Sequence, residues 1–122
     1  MVVDDSPTIR KTAETLLGRE GFHVISAVDG FAALAQVALY NPALVFIDIM
    51  MPRLDGYQAC ALIKANPRYA AIPIVMLSSK DGLFDRARGR VVGCDDYLTK
   101  PFTRDELVNA VHAHLGARAG AR

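Results

Sequence analysis

The chain has 122 residues, 52% of them apolar and 22% charged, and a formal net charge of +1. That length makes a single domain with a real core. The near-neutral charge argues against non-specific binding to nucleic acid, which draws on a concentrated basic surface.

Apolar runs and helical patterns alternate along the chain without an internal linker. Residues 1–3 form a short apolar strand that leads into Asp4 and Asp5. Ser6-Pro7 reads as a helix start, with Ser as N-cap and Pro at the first helical position; Ile9, Ala13, Leu16 and Leu17 follow at helical spacing. Gly21 precedes a strand over 23–27. Gly30 opens a second helix that carries Leu34, Val37, Ala38 and Leu39 to one side, and Asn41-Pro42 stops it. A third strand covers 43–47, and the loop from Met51-Pro52 to Asp55-Gly56 leads to a helix over 57–65 that ends before Asn66-Pro67. Further on, 72–77 reads as a fourth strand, 83–92 as a helix, 97–99 as a short fifth strand and 106–115 as the last helix. Residues 118–122 read as a flexible tail behind a domain of 1–117. Five βα units in a row imply a five-stranded parallel sheet covered by helices on both faces, a doubly wound α/β fold with right-handed crossovers. The first strand is central in such a fold, yet only three residues precede the acidic pair, so the natural chain is expected to start several residues earlier.

Two cysteines, Cys60 and Cys94, make neither a disulfide framework nor a metal-ligand pattern and read as small buried or half-buried thiols. No apolar run approaches the roughly 20 residues of a membrane helix, and the first residues lack a signal-peptide layout. A cytoplasmic location and no membrane span are expected.

The chemistry-bearing residues stand at the ends of the apolar runs: Asp4 and Asp5, Asp48, Ser78 and Lys100. The carboxyl ends of parallel strands share one edge, so these residues converge although 96 positions separate the first from the last. Clustered carboxylates repel, and oxygen ligands suit a hard divalent cation such as magnesium, whose charge offsets theirs. Three carboxylates, one divalent cation and one ammonium sum to zero, a balance that lets one aspartate attack a phosphoryl group.

Asp4-Asp5-Ser6, Asp48 with Met51-Pro52 and Asp55-Gly56 after it, Ser78-Ser79-Lys80 and Lys100-Pro101-Phe102 together resemble the receiver domain of bacterial response regulators, the CheY-like family. The similarity spans essentially the whole chain. More narrowly, Asp29-Gly30-Phe31, 48–58 (DIMMPRLDGYQ), 76–84 (MLSSKDGLF) and 97–102 (YLTKPF) resemble PilG-type regulators of type IV pilus twitching motility. The resemblance implies the flavodoxin-like strand order 2-1-3-4-5, Asp48 as acceptor of phosphate from a kinase phosphohistidine, and magnesium held by Asp5, Asp48 and the Met50 backbone carbonyl, with Asp4 acting through water. It implies Ser78 and Lys100 as phosphate partners, the hydroxyl donating a hydrogen bond and the ammonium acting as a point charge, a cis bond at Lys100-Pro101, and Tyr97 as an aromatic switch that responds to Ser78.

Blander readings stand beside these. Asp5 and Asp48 are also good capping residues, although capping does not account for three carboxylates at one sheet edge. Lys100 taken alone would read as a solvated lysine, and Tyr97 reads equally well as strand core. His23, His112 and His114 show no ligand spacing, and the three arginines Arg86, Arg88 and Arg90 read as a solvated helix face near the output surface. Met50 and Lys80 occupy places that the family uses to tune loss of phosphate, and an apolar methionine cannot orient an attacking water. The expectation is a stand-alone phospho-switch, not an enzyme beyond self-catalysed phosphotransfer and dephosphorylation. It takes phosphate from a chemotaxis-type histidine kinase and signals by contact with a downstream protein effector such as pilus machinery, with no nucleic acid as partner. The alternatives are the receiver piece of a longer regulator, or a magnesium-dependent aspartyl-phosphate phosphohydrolase. The latter needs a second aspartate two residues past the nucleophile, where Met50 stands.

Overall fold

The computed structural model describes residues 1–79 and 84–120. In chain order the elements are β1 (Val2–Val3), α1 (Pro7–Arg19), β2 (Ser26–Ala27), α2 (Gly30–Tyr40), β3 (Val45–Asp48), α3 (Gly56–Ala65), β4 (Ile74–Ser79), α4 (Arg86–Val92), β5 (Asp96–Lys100) and α5 (Arg104–Gly120). All strand pairings are parallel and the sheet order is β2-β1-β3-β4-β5, the doubly wound arrangement expected from the sequence.

Alternation along the strands splits the core into two layers. On one face Ile47, Ile74 and Met76 pack with Ala33 and Val37 of α2 and with Cys60 and Ile63 of α3. On the other, Phe46, Val75 and Leu77 pack with Ala13 and Leu17 of α1 and Leu107 and Val111 of α5. The central strands β3 and β4 are buried on both faces, so their side chains read as unbroken apolar runs. Each fully buried Ile or Phe contributes about 2–3 kcal/mol in transfer terms. The polar residues that end these strands are thereby fixed on a rigid platform.

Helix starts follow the capping chemistry. Ser6 accepts from the Ile9 amide, Asp29 from Ala32, and Asp55 from Gln58, whose side chain bonds back to the Asp55 amide. Asn41, in the left-handed region at φ 46°, caps the end of α2.

Several boundaries, and the buried face of α2, differ from the sequence reading; β3, β4 and β5 run Val45–Asp48, Ile74–Ser79 and Asp96–Lys100 rather than 43–47, 72–77 and 97–99. β2 is only Ser26–Ala27 rather than 23–27, paired in parallel with Val2 and Val3. On α2, Ala38 and Leu39 are exposed and the buried stripe is Gly30, Ala33 and Val37. Leu39 follows Val37 by two residues, about 200° around the helix, and cannot share its face. The α4 helix begins at Arg86, since Asp85 accepts from the Arg88 amide as N-cap; the expected start at Leu83 lies outside the described residues, as does Lys80. The α5 helix begins at Arg104 because Thr103 and Glu106 exchange side chain to backbone bonds of 3.1 and 2.9 Å, a Thr-x-x-Glu capping box that the sequence displays. It also continues past Leu115 to Gly120.

At the amino-terminal edge of the sheet the Met1 nitrogen is buried and donates to the Leu44 carbonyl at 2.7 Å. Beside it lies an apolar cavity of about 210 Å³ bordered by Met1, Leu17, Phe22, Tyr40, Leu44 and Val111. Cys60 is buried and Cys94 half-buried, both as free thiols. Burial pushes the Cys60 thiol up to about 12, far from the thiolate that redox chemistry requires. Among the described residues no helix is long and apolar enough to cross a membrane.

Candidate functional site

The opposite, carboxyl-terminal edge gathers the buried polar residues. Asp4 follows β1, Asp48 ends β3, Ser78 lies one residue before the end of β4 and Lys100 ends β5. Asp4, Asp48 and Ser78 are 0, 3 and 5% exposed, while Asp5 faces solvent. One carboxylate oxygen each of Asp4, Asp5 and Asp48 lies within 4.8 Å of the others. The Lys100 ammonium reaches across four strands, 3.0 Å from Asp48 Oδ1 and 3.1 Å from Asp4 Oδ2. Sequence reasoning placed these residues on one edge, and the geometry brings them together.

Local structure holds each in place. Asp4 Oδ1 accepts from the Ser6 amide at 2.9 Å, and the Arg10 guanidinium donates to the Asp4 carbonyl at 2.7 Å. Arg10 gave no sequence signal, since one basic residue on a helix is ordinary. Asp48 Oδ1 also accepts, weakly, from the Met50 amide at 3.3 Å. The chain after Asp48 loops out and returns so tightly that a Cβ at Gly56 would sit 2.5 Å from the Asp48 carbonyl oxygen; only glycine fits there. The Met50 side chain is 72% exposed at the mouth of the site. The Lys100–Pro101 peptide is cis.

Burial pushes the Asp48 carboxyl up to about 6; the Lys100 hydrogen bond opposes this and the Asp4 charge reinforces it. Burial alone would lower the Lys100 pKa, but hydrogen bonds to Asp48 and Asp4 outweigh it and the pKa stands above its ordinary value. Near neutral pH the site is therefore an ionised carboxylate beside a firmly charged ammonium. A carboxylate in that state is a competent nucleophile, and three clustered carboxylates are a hard-oxygen donor set that fits magnesium.

Ser78 Oγ donates to the Ser79 carbonyl at 3.3 Å. Strand register pairs Ser78 with Thr99 and Met76 with Tyr97, so Ser78 and Tyr97 lie on the same face of the sheet. Tyr97 is half-buried and its ring stacks on Phe84 at 4.3 Å between centroids. Arg86 donates to the Tyr97 hydroxyl at 3.1 Å, and Arg88 lies over the Tyr57 ring at 4.4 Å. Two of the three arginines read as solvated are thus engaged with aromatic rings. Only a pairing of α4 residues with rings 11 and 31 positions away in the sequence would have revealed it. No histidine enters the site: His114 pairs with Asp96, and His112 packs edge-on against Phe22.

Five parallel strands in this order, with an acidic cluster and a lysine at their carboxyl ends, define a phosphoacceptor domain of the two-component type, and residues 1–112 match the response regulator receiver domain. The chain belongs to that family. It is 63% identical over 115 residues to Protein PilG of Pseudomonas aeruginosa, covering 94% of this chain and 85% of that protein. It is also 39% identical to the alkaline phosphatase synthesis transcriptional regulatory protein PhoP of Bacillus subtilis, but there covers only 46% of the relative's length. Among solved structures, the chemotaxis protein CheY4 of Vibrio cholerae superposes with a TM-score of 0.88 at 29% identity, covering 93% of this chain and 95% of the other. A CheY-like receiver of Methanospirillum hungatei gives 0.84 at 31%, covering 98% and 95%. Receiver domains typically bind magnesium at an acidic cluster, here Asp4, Asp5 and Asp48, and a receiver is in general not a true enzyme. The phosphohydrolase alternative finds no support in these similarities.

Proposed function

We propose that this chain is a phospho-switch of a chemotaxis-like system that controls type IV pilus twitching motility. A chemotaxis-type histidine kinase supplies the phosphoryl group, Asp48 accepts it, and a downstream protein effector reads the result. The observation that carries this reading is the Lys100 ammonium bridging Asp48 and Asp4 at 3.0 and 3.1 Å inside an acidic cluster. One carboxylate is thereby held for attack beside a cation placed to receive the phosphoryl oxygens. The 63% identity to PilG supports the pilus assignment.

Magnesium would be held by Asp5, Asp48 and the Met50 backbone carbonyl, with Asp4 acting through water. Bound there, it would offset the charge of the phosphoryl oxygens. Asp48 Oδ1 or Oδ2 forms the new bond to phosphorus while the kinase imidazole leaves. Lys100 then pairs with the added oxygens and Ser78 donates a hydrogen bond to one of them. Tyr97, on the same sheet face as Ser78, rotates inward as the two-state element. Met50, being apolar, orients no attacking water, so the phosphorylated state persists longer than where a polar side chain stands at that place.

Incubation with a small phosphodonor and magnesium, read by intact mass, should add one phosphoryl group to the wild type and none to Asp48→Asn. Equal incorporation in that variant would sink the assignment. Phosphotransfer from the chemotaxis-type kinases of the source cell then identifies the input.

A further inference from the structure

Around Tyr97 the rings form a continuous column that the phosphoacceptor site does not use. Phe84 stands in the middle: its ring is stacked on Tyr97 at 4.3 Å and 20° on one side, and faces Tyr57 at 6.2 Å and 14° on the other. An arginine closes each end, Arg88 over Tyr57 at 4.4 Å and Arg86 over Tyr97 at 5.7 Å. Both arginines belong to α4, and each is held a second time, Arg86 by the Tyr97 hydroxyl and Arg88 by Asp55 Oδ2 at 3.5 Å. The Asp85 amide adds a bond to the Tyr57 hydroxyl at 2.9 Å.

The α4 helix is also held by Val92, which is partly buried against the core and whose carbonyl accepts from Cys60 Sγ at 3.5 Å. Of its seven residues only Gly89 is buried, and that glycine makes room for the column: a Cβ there would lie 2.7 Å from Phe84 Cζ and 2.9 Å from Cys94 Sγ. Val91, on the same helix, is 86% exposed. Tyr57, Phe84 and Tyr97 thus share with Val92 the attachment of α4 to α3 and β5.

From this geometry we infer that Phe84 is a positioning residue that sets the resting balance of the Tyr97 switch. The inference rests on the proposal that Tyr97 rotates inward on phosphorylation. Such a rotation must break the 4.3 Å stack on Phe84 and the exposed hydroxyl contact with Arg86, so both contacts belong to the outward state alone. An interaction present in one state and absent in the other shifts the equilibrium by its full worth. One aromatic stack corresponds to roughly a three- to ten-fold change in an equilibrium constant.

The test uses the full chain with magnesium and a beryllium fluoride phosphate mimic, following the Tyr97 ring resonances, assigned by their absence in Tyr97→Phe. Phe84→Leu retains apolar bulk but cannot stack. Without mimic, its Tyr97 signals should already lie part way toward the mimic-bound position, and it should bind the mimic about three- to ten-fold more tightly than wild type. Phe84→Tyr, which keeps the ring, should match wild type in both respects. A Phe84→Leu variant with wild-type shifts and affinity, or with weaker binding, overturns the role of Phe84. A wild type that binds the mimic without any Tyr97 response overturns instead the rotation on which the inference rests, so the two failures are told apart.

Discussion

The two edges of the sheet divide the work of the molecule. At the carboxyl-terminal edge Asp4, Asp48 and Ser78 are buried and Lys100 is nearly so, and the two aspartates crowd like charges into a poorly solvated place. At the amino-terminal edge the polar groups satisfy structure instead. Lys64 Nζ, 16% exposed, bonds the Ala70 and Ile72 carbonyls at 3.0 and 2.7 Å and Asp95 at 3.1 Å, and Asp95 in turn accepts from the Ile74 amide. An apolar cavity bordered by Met1, Leu17 and Leu44 lies at the same edge. One edge is held under electrostatic tension by its own fold, the other is relaxed; residues placed for reaction are not placed for stability.

The largest effect should come from Lys100→Met in the presence of a chelator. It leaves Asp4 and Asp48 buried without their ammonium, a loss of about 3–5 kcal/mol for a broken buried pair. Urea melts at pH 7 should show it, and the loss should shrink as pH is lowered toward 6, because Asp48 without the Lys100 hydrogen bond takes up its proton at a higher pH than in the wild type. A variant that melts like the wild type would show that the acidic edge carries no such tension.

Asp48→Asn should move the other way. The carboxyl has a higher pKa folded, about 6, than its ordinary value of 3.8, so protonation favours the folded chain. The stability tied to that proton is fully present below the unfolded value and is lost as pH rises through the folded one. Asparagine does not titrate. The stability of Asp48→Asn relative to wild type should therefore grow by on the order of 2 kcal/mol between pH 4 and pH 7 without metal. A flat difference over that window contradicts the tension.

These variants concern residues that were legible in the sequence, and for a physical reason. Parallel strands put their carboxyl ends together, so Asp48, Ser78 and Lys100 needed only to end apolar runs to be placed. What was not legible depends on contacts between elements. The Phe84 column joins α3, the start of α4 and β5, and its arginines look like any solvated basic face when α4 is read alone.

At the relaxed edge, Lys64→Met should cost about 2 kcal/mol, because it strands two carbonyls and removes a partner of Asp95. Phosphoryl incorporation at Asp48 should remain that of the wild type, as measured by intact mass. If incorporation fell along with stability, the two edges would be coupled and the division of labour would be wrong.

The smallest effect sharpens the contrast most finely. Among the described residues each edge holds one non-glycine residue at positive φ: Asn41 at 46°, ending α2 on the relaxed side, and Arg53 at 69°, in the loop after Asp48. Asparagine tolerates that region well, whereas arginine has no short polar group to compensate and carries a strain of about 1 kcal/mol. Arg53 is held there by Asp29 at 3.4 Å and by the Phe31 ring at 6.0 Å, contacts on an arginine side chain 70% exposed and so worth a few tenths of a kcal/mol each. Replacing arginine by glycine relieves more than it removes. Arg53→Gly should therefore stabilise the chain by about 0.5 kcal/mol, and Asn41→Gly should leave it within a few tenths of wild type, both read from denaturant midpoints at unchanged slope. A loss of stability in Arg53→Gly would mean that the contacts with Asp29 and Phe31 outweigh the backbone strain. The loop beside the phosphoacceptor would then be as relaxed as the far edge, and the tension would reside in the buried charges alone.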